Sequence, residues 1–275
     1  LELINFSHFN VFMVGSFIGL FILESLGVSG QLTVMTGLPL VGVLLAAFVG
    51  TMVLCGGLSA GIERLLLRPL RQVRGPAPMI TTIGISYILF NLVILTQGAD
   101  SKNFPNPLPS VEWHIGHAVL RLREVLVWIV AIVLMGGLTY FAGYTKVGKA
   151  MRATAQDPEA ARMMGVNVDH VIGTAFFLGG AMAGAGGLIF GLYYNFTSFI
   201  IGFKTGLFAF TAAVLGGIGN VPGAMLGGVL IGLIEAMSGS FIAAAWADVI
   251  IFSILVLVLV FAPSGLLGRV APNKS

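Results

Sequence analysis

Long apolar runs separated by short polar loops dominate this chain of 275 residues. Most runs hold about 20 residues, the length that an α-helix needs to cross a hydrocarbon core of about 30 Å. The runs are continuous rather than alternating, so the pattern excludes a membrane β-barrel. The sequence therefore predicts an all-α, polytopic membrane protein with about six full spans, placed near Phe9–Gly27, Pro39–Ile62, Ala77–Thr96, Glu124–Tyr144, Val171–Tyr194 and Ala247–Phe261.

The composition supports a membrane protein, because only 9% of residues are charged and 57% are hydrophobic. A soluble domain carries about 25% charged residues. Glycine is abundant, with 38 residues, and small residues let membrane helices approach closely. The stretch GGAMAGAGG at 179–187 in the fifth span therefore predicts a tight helix contact.

The basic residues are unevenly distributed over the loops. Short cytoplasmic loops hold the excess of Lys and Arg. If the spans alternate, most of the basic residues fall on one side, which is then cytoplasmic. Those residues are Arg64, Arg68, Arg71, Arg74, Lys146, Lys149, Arg152, Arg162, Arg269 and Lys274; the opposite side holds Lys102, Arg121, Arg123 and Lys204. The same count makes residues 97–123 an outer loop.

One apolar segment, residues 206–241, differs from an ordinary span. It is interrupted by GGIGNVPG at 216–223, and glycine and proline do not continue a helix. The charge distribution requires this segment to leave and return to the outer side, which predicts a broken, re-entrant hairpin. Broken helices of this kind form substrate sites in transporters. The alternative is an ordinary tight turn joining two spans.

A polar loop, residues 145–170, lies on the predicted cytoplasmic side and contains signals for its own helix. Asp157 can accept hydrogen bonds from free amides at a helix start, and Pro158 suits the first helical position. Gly165 suits the left-handed position after a helix end. The result is a helix of about two turns, too short to be stable alone in water. Such a helix is explained by a partner against which it docks; the alternative is a solvated turn between two spans.

Motifs for catalysis and for ATP or metal binding are missing from the sequence. It has no GxxxxGK[ST] loop, HExxH helix or GxSxG elbow, so we expect neither an enzyme nor ATP binding by this chain. His114 and His117 alone make a weak metal site. The acids of the spans, Glu24, Glu235 and Asp248, lie near the predicted outer interface, where a structural role is expected. These observations indicate passage of a small, mostly neutral solute. The net charge of +3 suggests no nucleic-acid partner.

Several blocks of the sequence resemble a known family. Glu159-Ala160-Ala161-x-x-x-Gly165 is similar to the EAA---G motif of ATP-binding-cassette (ABC) importer permeases, a cytoplasmic helix that docks in a cleft of the ATPase. INFSH, IERLLLRPLR, AFTAAVLGGIGNVPGAMLGG and APSGLLGR resemble the permeases of branched-chain amino-acid importers, the LivH type. Family members usually carry another span before the INF-x-H segment, so the resemblance implies that residues precede Leu1. No block matches the outer loop or the Lys204 region.

The resemblance implies a single transmembrane permease domain over residues 1–275, in a bacterial or archaeal cell membrane. Its partners would be a second related permease, two ATPases that use ATP, an external solute-binding protein and membrane lipid. The alternative is a stand-alone channel or ion-coupled carrier for an amide or urea. The resemblance assigns ATPase coupling to Glu159, Ala160, Ala161 and Gly165, supported by Arg152 and Asp157, and the translocation pathway to Asn5, His8, Gly216, Gly217, Gly219, Asn220, Pro222 and Gly223.

Overall fold

The computed structural model of the protein describes residues 5–28, 36–73, 75–115, 118–241, 243–262 and 264–268. The predicted all-helical membrane fold is confirmed. Of the basic residues that set the predicted orientation, Arg74, Arg269 and Lys274 lie outside the described residues, as does His117 of the outer loop. The helices are α1 (Ser7–Ser25), α2 (Leu38–Ile62), α3 (Ala77–Gln97), α4 (Leu122–Tyr144), α5 (Lys146–Gln156), α6 (Pro158–Met163), α7 (Val168–Tyr194), α8 (Ile201–Gly216), α9 (Val221–Phe241) and α10 (Ala247–Phe261).

Within the described ranges, seven helical segments are long and apolar enough to cross a membrane. Six correspond to the predicted spans, and the seventh is α9, the second arm of the predicted hairpin. The first arm, α8, has 16 residues, while α9 has 21, which at 1.5 Å per residue is about 30 Å. The break between the arms lies where the sequence predicted it. The re-entrant path stays a prediction, because α9 has the length of a full span.

The first of two compact units comprises residues 1–134 and 141–203. Its core lies between α1, α2 and α7, where Val11, Cys55 and Ala183 are buried together. The predicted close approach through the glycine stretch is confirmed. A Cβ atom at Gly180 would clash with Ser59 and with the carbonyl oxygen of Cys55, so α7 approaches α2 as closely as the missing side chain permits.

The outer loop contains strands that the sequence analysis did not predict. β2 (Glu112–Ile115) and β3 (Ala118–Arg121) form an antiparallel hairpin. β1 (Lys102–Asn103) pairs with β4 (Phe196–Thr197), which directly follows α7. The outer loop and the end of α7 therefore lie together, in agreement with their placement on the same side from the charge distribution.

The second unit comprises residues 135–140 and 204–275. Its core is formed by α8, α9 and α10, where Ala212, Leu215, Ile231 and Ile251 are buried. The backbones of α8 and α9 touch, because a Cβ atom at Gly227 would clash with the carbonyl oxygen of Ala212. Asp248 at the start of α10 forms an ion pair of 3.0 Å with Lys204, consistent with the structural role expected for this acid.

Candidate functional site

The polar loop folds into two helices, α5 and α6, whereas the sequence analysis predicted only the second. α5 begins after Thr145, whose Oγ1 accepts a hydrogen bond of 3.0 Å from the amide of Gly148. The polar and apolar residues of α5 lie on opposite faces of the helix. The many polar residues hide this pattern in the sequence. The polar loop therefore contains two capped helices rather than the single short helix that was predicted.

The start of α6 has the predicted geometry. Oδ1 of Asp157 accepts hydrogen bonds from the amides of Glu159, at 2.9 Å, and Ala160, at 3.0 Å. Pro158 occupies the first helical position, where no amide hydrogen is needed. Glu159 adds a negative charge near the positive end of the helix dipole. Asp157 therefore fixes where α5 ends and α6 begins.

The end of α6 also has the predicted geometry. Gly165 has a φ of 81°, in the left-handed region that favours glycine. Its amide donates to the carbonyl of Arg162 at 2.9 Å, and the amide of Val166 donates to the carbonyl of Ala161 at 3.0 Å. These two bonds form a Schellman motif. The short helix is thus closed by hydrogen bonds at both ends.

The exposed side of α6 is apolar at its C-terminal end. Met163 and Met164 are 88% and 84% exposed, while Ala161 on the opposite side is only 5% exposed. Glu159 and Ala160 are also exposed. Methionine is a flexible, polarizable side chain that is common on protein-binding surfaces. The geometry presents one face of α6 to the rest of the chain and leaves the other available.

Arg152 of α5 contacts the end of α4. Its guanidinium donates to the carbonyl oxygen of Ala142 and, at 3.2 Å, to that of Gly143. These carbonyls lie in the last turn of α4, where they lack partners within the helix. A cation there also complements the helix dipole. Arg152, predicted to support coupling, therefore ties the start of the polar loop to α4.

A cluster of four charged residues, which was not predicted from the sequence, lies at the other end of the polar loop. Arg71 donates to both Glu63 and Asp169, and Arg68 also pairs with Asp169. The basic segment was noted only for its charge. Its acidic partner at the start of α7 is about a hundred residues away in sequence, and no local pattern joins the two.

The predicted pathway residues Asn5 and His8 lie at the start of α1. Oδ1 of Asn5 accepts bonds from the amide and the hydroxyl of Ser7, at 3.1 and 2.6 Å, so this side chain caps the local turn. His8 is half-buried, and its Cε1 would lie 3.7 Å from a Cβ atom at Gly179 of α7. The pathway role of both residues stays a prediction.

Asn10 is a polar residue of the same region that the sequence analysis did not select. Its Nδ2 donates to the backbone carbonyl and the hydroxyl of Ser86 on α3, both at 2.7 Å. Its Oδ1 is buried and has no hydrogen-bond partner in the part of the chain that the structure describes. Asn10 thus joins α1 to α3.

The break between α8 and α9 was predicted to form part of the translocation pathway. Gly217 and Gly219 have positive φ values of 105° and 89°, Pro222 lies in the first turn of α9, and Oδ1 of Asn220 accepts from the amide of Gly223 at 3.2 Å. These features confirm a sharp break. The pathway role of its residues stays a prediction.

Segment 264–268 supplies partners to this break. The amides of Leu266 and Leu267 donate to the carbonyls of Leu215, at 2.8 Å, and Gly216, at 3.1 Å. Nδ2 of Asn220 donates to the carbonyl of Leu267 at 2.8 Å. The carbonyls of Leu215 and Gly216 are therefore bonded within the chain and are not free to bind a substrate.

Among the described residues, no three His, Cys, Asp or Glu side chains lie close enough together to hold a metal ion. The features that the structure does describe are apolar helices of membrane length, a capped surface helix, and charged or hydrogen-bonded contacts at the ends of helices. Together they define a multi-pass membrane protein with a structured polar loop, as found in transport permeases.

Comparison with known proteins gives the family. The family described as "Branched-chain amino acid transport system / permease component" matches residues 1–259, and the chain belongs to it. The LivH permease protein of the high-affinity branched-chain amino acid transport system of Escherichia coli K12 is 39% identical over 277 residues, covering 99% of this chain and 88% of LivH.

Two further relatives show the range of the family. The high-affinity branched-chain amino acid transport system permease protein BraD of Pseudomonas aeruginosa is 37% identical, over 99% of this chain and 88% of BraD. The autoinducer 2 import system permease protein LsrC of Yersinia pseudotuberculosis is 28% identical, over 74% of this chain and 58% of LsrC. No solved structure shows a significant match to the chain.

Proposed function

We propose that this chain is the permease subunit of an ATP-binding-cassette importer for branched-chain or other neutral amino acids. Its partners are a second related permease, two ATPases and an external solute-binding protein, and the ATP is bound and hydrolysed by the ATPases. Membership of a transport permease family supports this proposal. It does not favour the alternative, a stand-alone channel or ion-coupled carrier.

The structural observation that carries the proposal is the exposed face of α6. Six residues are too few to form a helix in water without tertiary contacts, yet α6 is capped at both ends and presents Met163 and Met164 to the surroundings. An exposed apolar pair on a well-ordered helix is a surface for a protein partner. The resemblance of Glu159-Ala160-Ala161-x-x-x-Gly165 to the importer motif supports the ATPase as this partner.

The mechanism proposed for coupling is a rigid-body displacement. When ATP binding brings the two ATPases together, α6 moves with the ATPase surface on which it docks. The polar loop passes this movement to α4 through Arg152, which bonds to the last turn of that helix. The membrane helices then exchange two access states, which is how transporters alternate access to a central site.

Purification of the tagged full chain from its own membrane in mild detergent tests the proposal. We expect an ATPase to be retained. The double variant Met163→Ser, Met164→Ser should retain roughly tenfold less ATPase than the wild type. A loss of about 1.4 kcal/mol in binding free energy corresponds to a tenfold loss of affinity. Glu112→Gln in the outer hairpin is the control and should retain all of it. A chain that transports solute in liposomes without any ATPase would contradict the proposal.

Uptake of labelled leucine by cells that carry the complete transporter tests the substrate. If the substrates are branched-chain amino acids, isoleucine and valine should compete with leucine for uptake. Among the relatives, LsrC is named for import of autoinducer 2, so family membership alone leaves the substrate class open. Competition by autoinducer 2, with none by isoleucine or valine, would contradict an amino-acid substrate.

A further inference from the structure

A single guanidinium group joins the end of α2 to the start of α7. The Nη2 atom of Arg71 donates to Glu63, and its Nη1 atom donates to Oδ1 of Asp169 at 2.7 Å. Arg68 adds a second contact to Asp169, through Oδ2. The planar fork of arginine can serve two carboxylates at once, whereas the ammonium group of lysine acts as a point charge.

The chain between Glu63 and Arg71 is shaped to allow this contact. After Ile62 the helix widens into a π turn, Glu63–Leu67, in which the amide of Arg68 bonds to the carbonyl of Glu63 at 2.7 Å. Pro69 has no amide hydrogen with which to continue the helix, and a short 3₁₀ turn follows, Pro69–Gln72. This change of pitch brings Arg71 back beside Glu63. Single π turns are frequent at functional positions.

The four charges differ in burial. The side chains of Glu63 and Arg71 are 4% and 12% exposed, whereas those of Arg68 and Asp169 are 44% and 37% exposed. The cluster is neutral overall, since two carboxylates face two guanidinium groups. The inner pair is fixed to the end of α2, because an unpaired charge is costly when buried. The outer carboxylate, Asp169, belongs to α7 and connects the cluster to the polar loop.

At this end of α2 and α7, charged contacts lie next to apolar ones, because Ile62, the last residue of α2, belongs to the buried cluster against which Phe176 of α7 packs. Farther along the helices, a Cβ atom at Gly56 would lie 2.9 Å from the ring of Phe177, so contact there is close. Beside the charged cluster there is instead an open cavity of about 510 Å³. Its lining includes Arg64, Asn167 and Thr174. The ion pairs therefore join the two helix ends beside this cavity.

The path from Asp169 back to α6 is short and contains several hydrogen bonds. Asn167 caps α7, its Oδ1 accepting from the amide of His170 at 3.1 Å. The residue before it, Val166, donates to Ala161 in the Schellman motif that closes α6. Only residues 164–167 lie between α6 and α7, and Asp169 is in the first turn of α7, so a displacement of α6 is expected to move Asp169 with it.

We propose that Asp169, held by Arg68 and Arg71, is a positioning residue that passes the displacement of α6 to α2. This inference rests on the proposed function and adds a second transmission path, beside the one through Arg152 and α4. Arg71 makes the path continuous, because it bonds at the same time to the carboxylate of Asp169 on α7 and to that of Glu63, which directly follows α2.

The test is the amount of substrate taken up per ATP hydrolysed, measured in proteoliposomes that contain the complete transporter. Asp169→Asn removes the charge with little change of shape, and Arg71→Lys keeps the charge but removes the fork. We expect both to lower uptake per ATP by roughly tenfold, within the usual range of coupling between linked sites. ATP hydrolysis should continue near the wild-type rate, and Asp169→Glu should restore uptake.

The control is Arg121→Lys, since Arg121 forms an exposed ion pair of 3.1 Å with Glu112 in the outer loop. This variant should keep the wild-type uptake per ATP. Unchanged uptake per ATP in Asp169→Asn would overturn the inference. So would a parallel fall of uptake and hydrolysis with the amount of assembled transporter, because that result indicates a purely structural role. If wild-type uptake does not depend on ATP, the proposed function itself fails.

Discussion

A Cβ atom added to Gly15 of α1 would lie 2.6 Å from the Cα atom of Gly184 of α7, so the two helix backbones touch at this point. Gly184 also faces α2, where a Cβ atom would lie 2.7 Å from Cβ of Cys55 and 2.9 Å from the carbonyl oxygen of Thr51. Three helices therefore meet at one glycine, without room for a methyl group.

Gly184→Ala is expected to destabilise the first unit. Insertion of a methyl group into a well-packed contact costs about 1–3 kcal/mol, and here the added carbon would lie less than 3 Å from Cβ and Sγ of Cys55 and from the carbonyl oxygen of Thr51. Thermal unfolding of the purified chain in detergent measures the effect as a lower melting temperature. Gly179→Ala on the same helix is the control, because the nearest atom would lie 3.7 Å away. Equal melting temperatures for the two variants would contradict the prediction.

Asp157→Ala should impair uptake through loss of the α6 cap. Two backbone amides, of Glu159 and Ala160, lose their acceptor, and loss of an N-cap typically costs about 1 kcal/mol. Uptake of labelled leucine and retention of the ATPase should both fall. Asp157→Asn keeps an acceptor oxygen and should behave nearly as the wild type. If the two substitutions reduce uptake equally, the cap is not the cause.

Gly165→Ala should weaken the end of α6 through backbone strain alone. No atom lies within 4 Å of an added Cβ, but the positive φ of this residue costs about 1–2 kcal/mol in a residue other than glycine. Uptake is expected to fall, and Gly165→Asn should be milder because asparagine tolerates the left-handed region. Gly57→Ala, which has open space and an ordinary helical backbone, should leave uptake unchanged. Wild-type uptake in Gly165→Ala would refute this account.

Asn220→Ala should loosen the segment 264–268 from the break between α8 and α9. The side chain both caps α9 and donates to the carbonyl of Leu267, and each such bond contributes about 0.5–1.5 kcal/mol. Proteolysis of membrane preparations should then cut this segment faster than in the wild type. Asn220→Ser keeps an acceptor for the cap and should be intermediate. Cleavage at an unchanged rate in both variants would show that Asn220 does not hold the segment 264–268 against the break.

The sequence predicted the parts of the site that depend on near neighbours. The cap at Asp157, the proline after it and the left-handed Gly165 each follow from rules that act within a few residues, and the structure reproduces all three. The apolar runs predicted the helices for the same reason. The first helix of the polar loop, α5, was not predicted because its short length and many polar residues left no apolar run to detect.

The contacts that join distant parts of the chain could not be predicted. Arg71 and Asp169 are 98 residues apart, and Asn10 and Ser86 are 76 apart. Such pairs depend on the register of one helix against another, which a helical period does not fix. The charge distribution grouped Arg71 with the polar loop on one side, but it could not select Asp169 as the partner.

The bonds between the break after α8 and the segment 264–268 set an order for assembly during synthesis. Nδ2 of Asn220 donates to a carbonyl that lies 47 residues later in the chain, and the carbonyls of Leu215 and Gly216 receive amides from that same late segment. Until the ribosome has released those residues, these groups lack the partners that they have in the folded unit. The second unit can therefore close only after translation of α10, whereas the contacts between α1, α2 and α7 are available earlier.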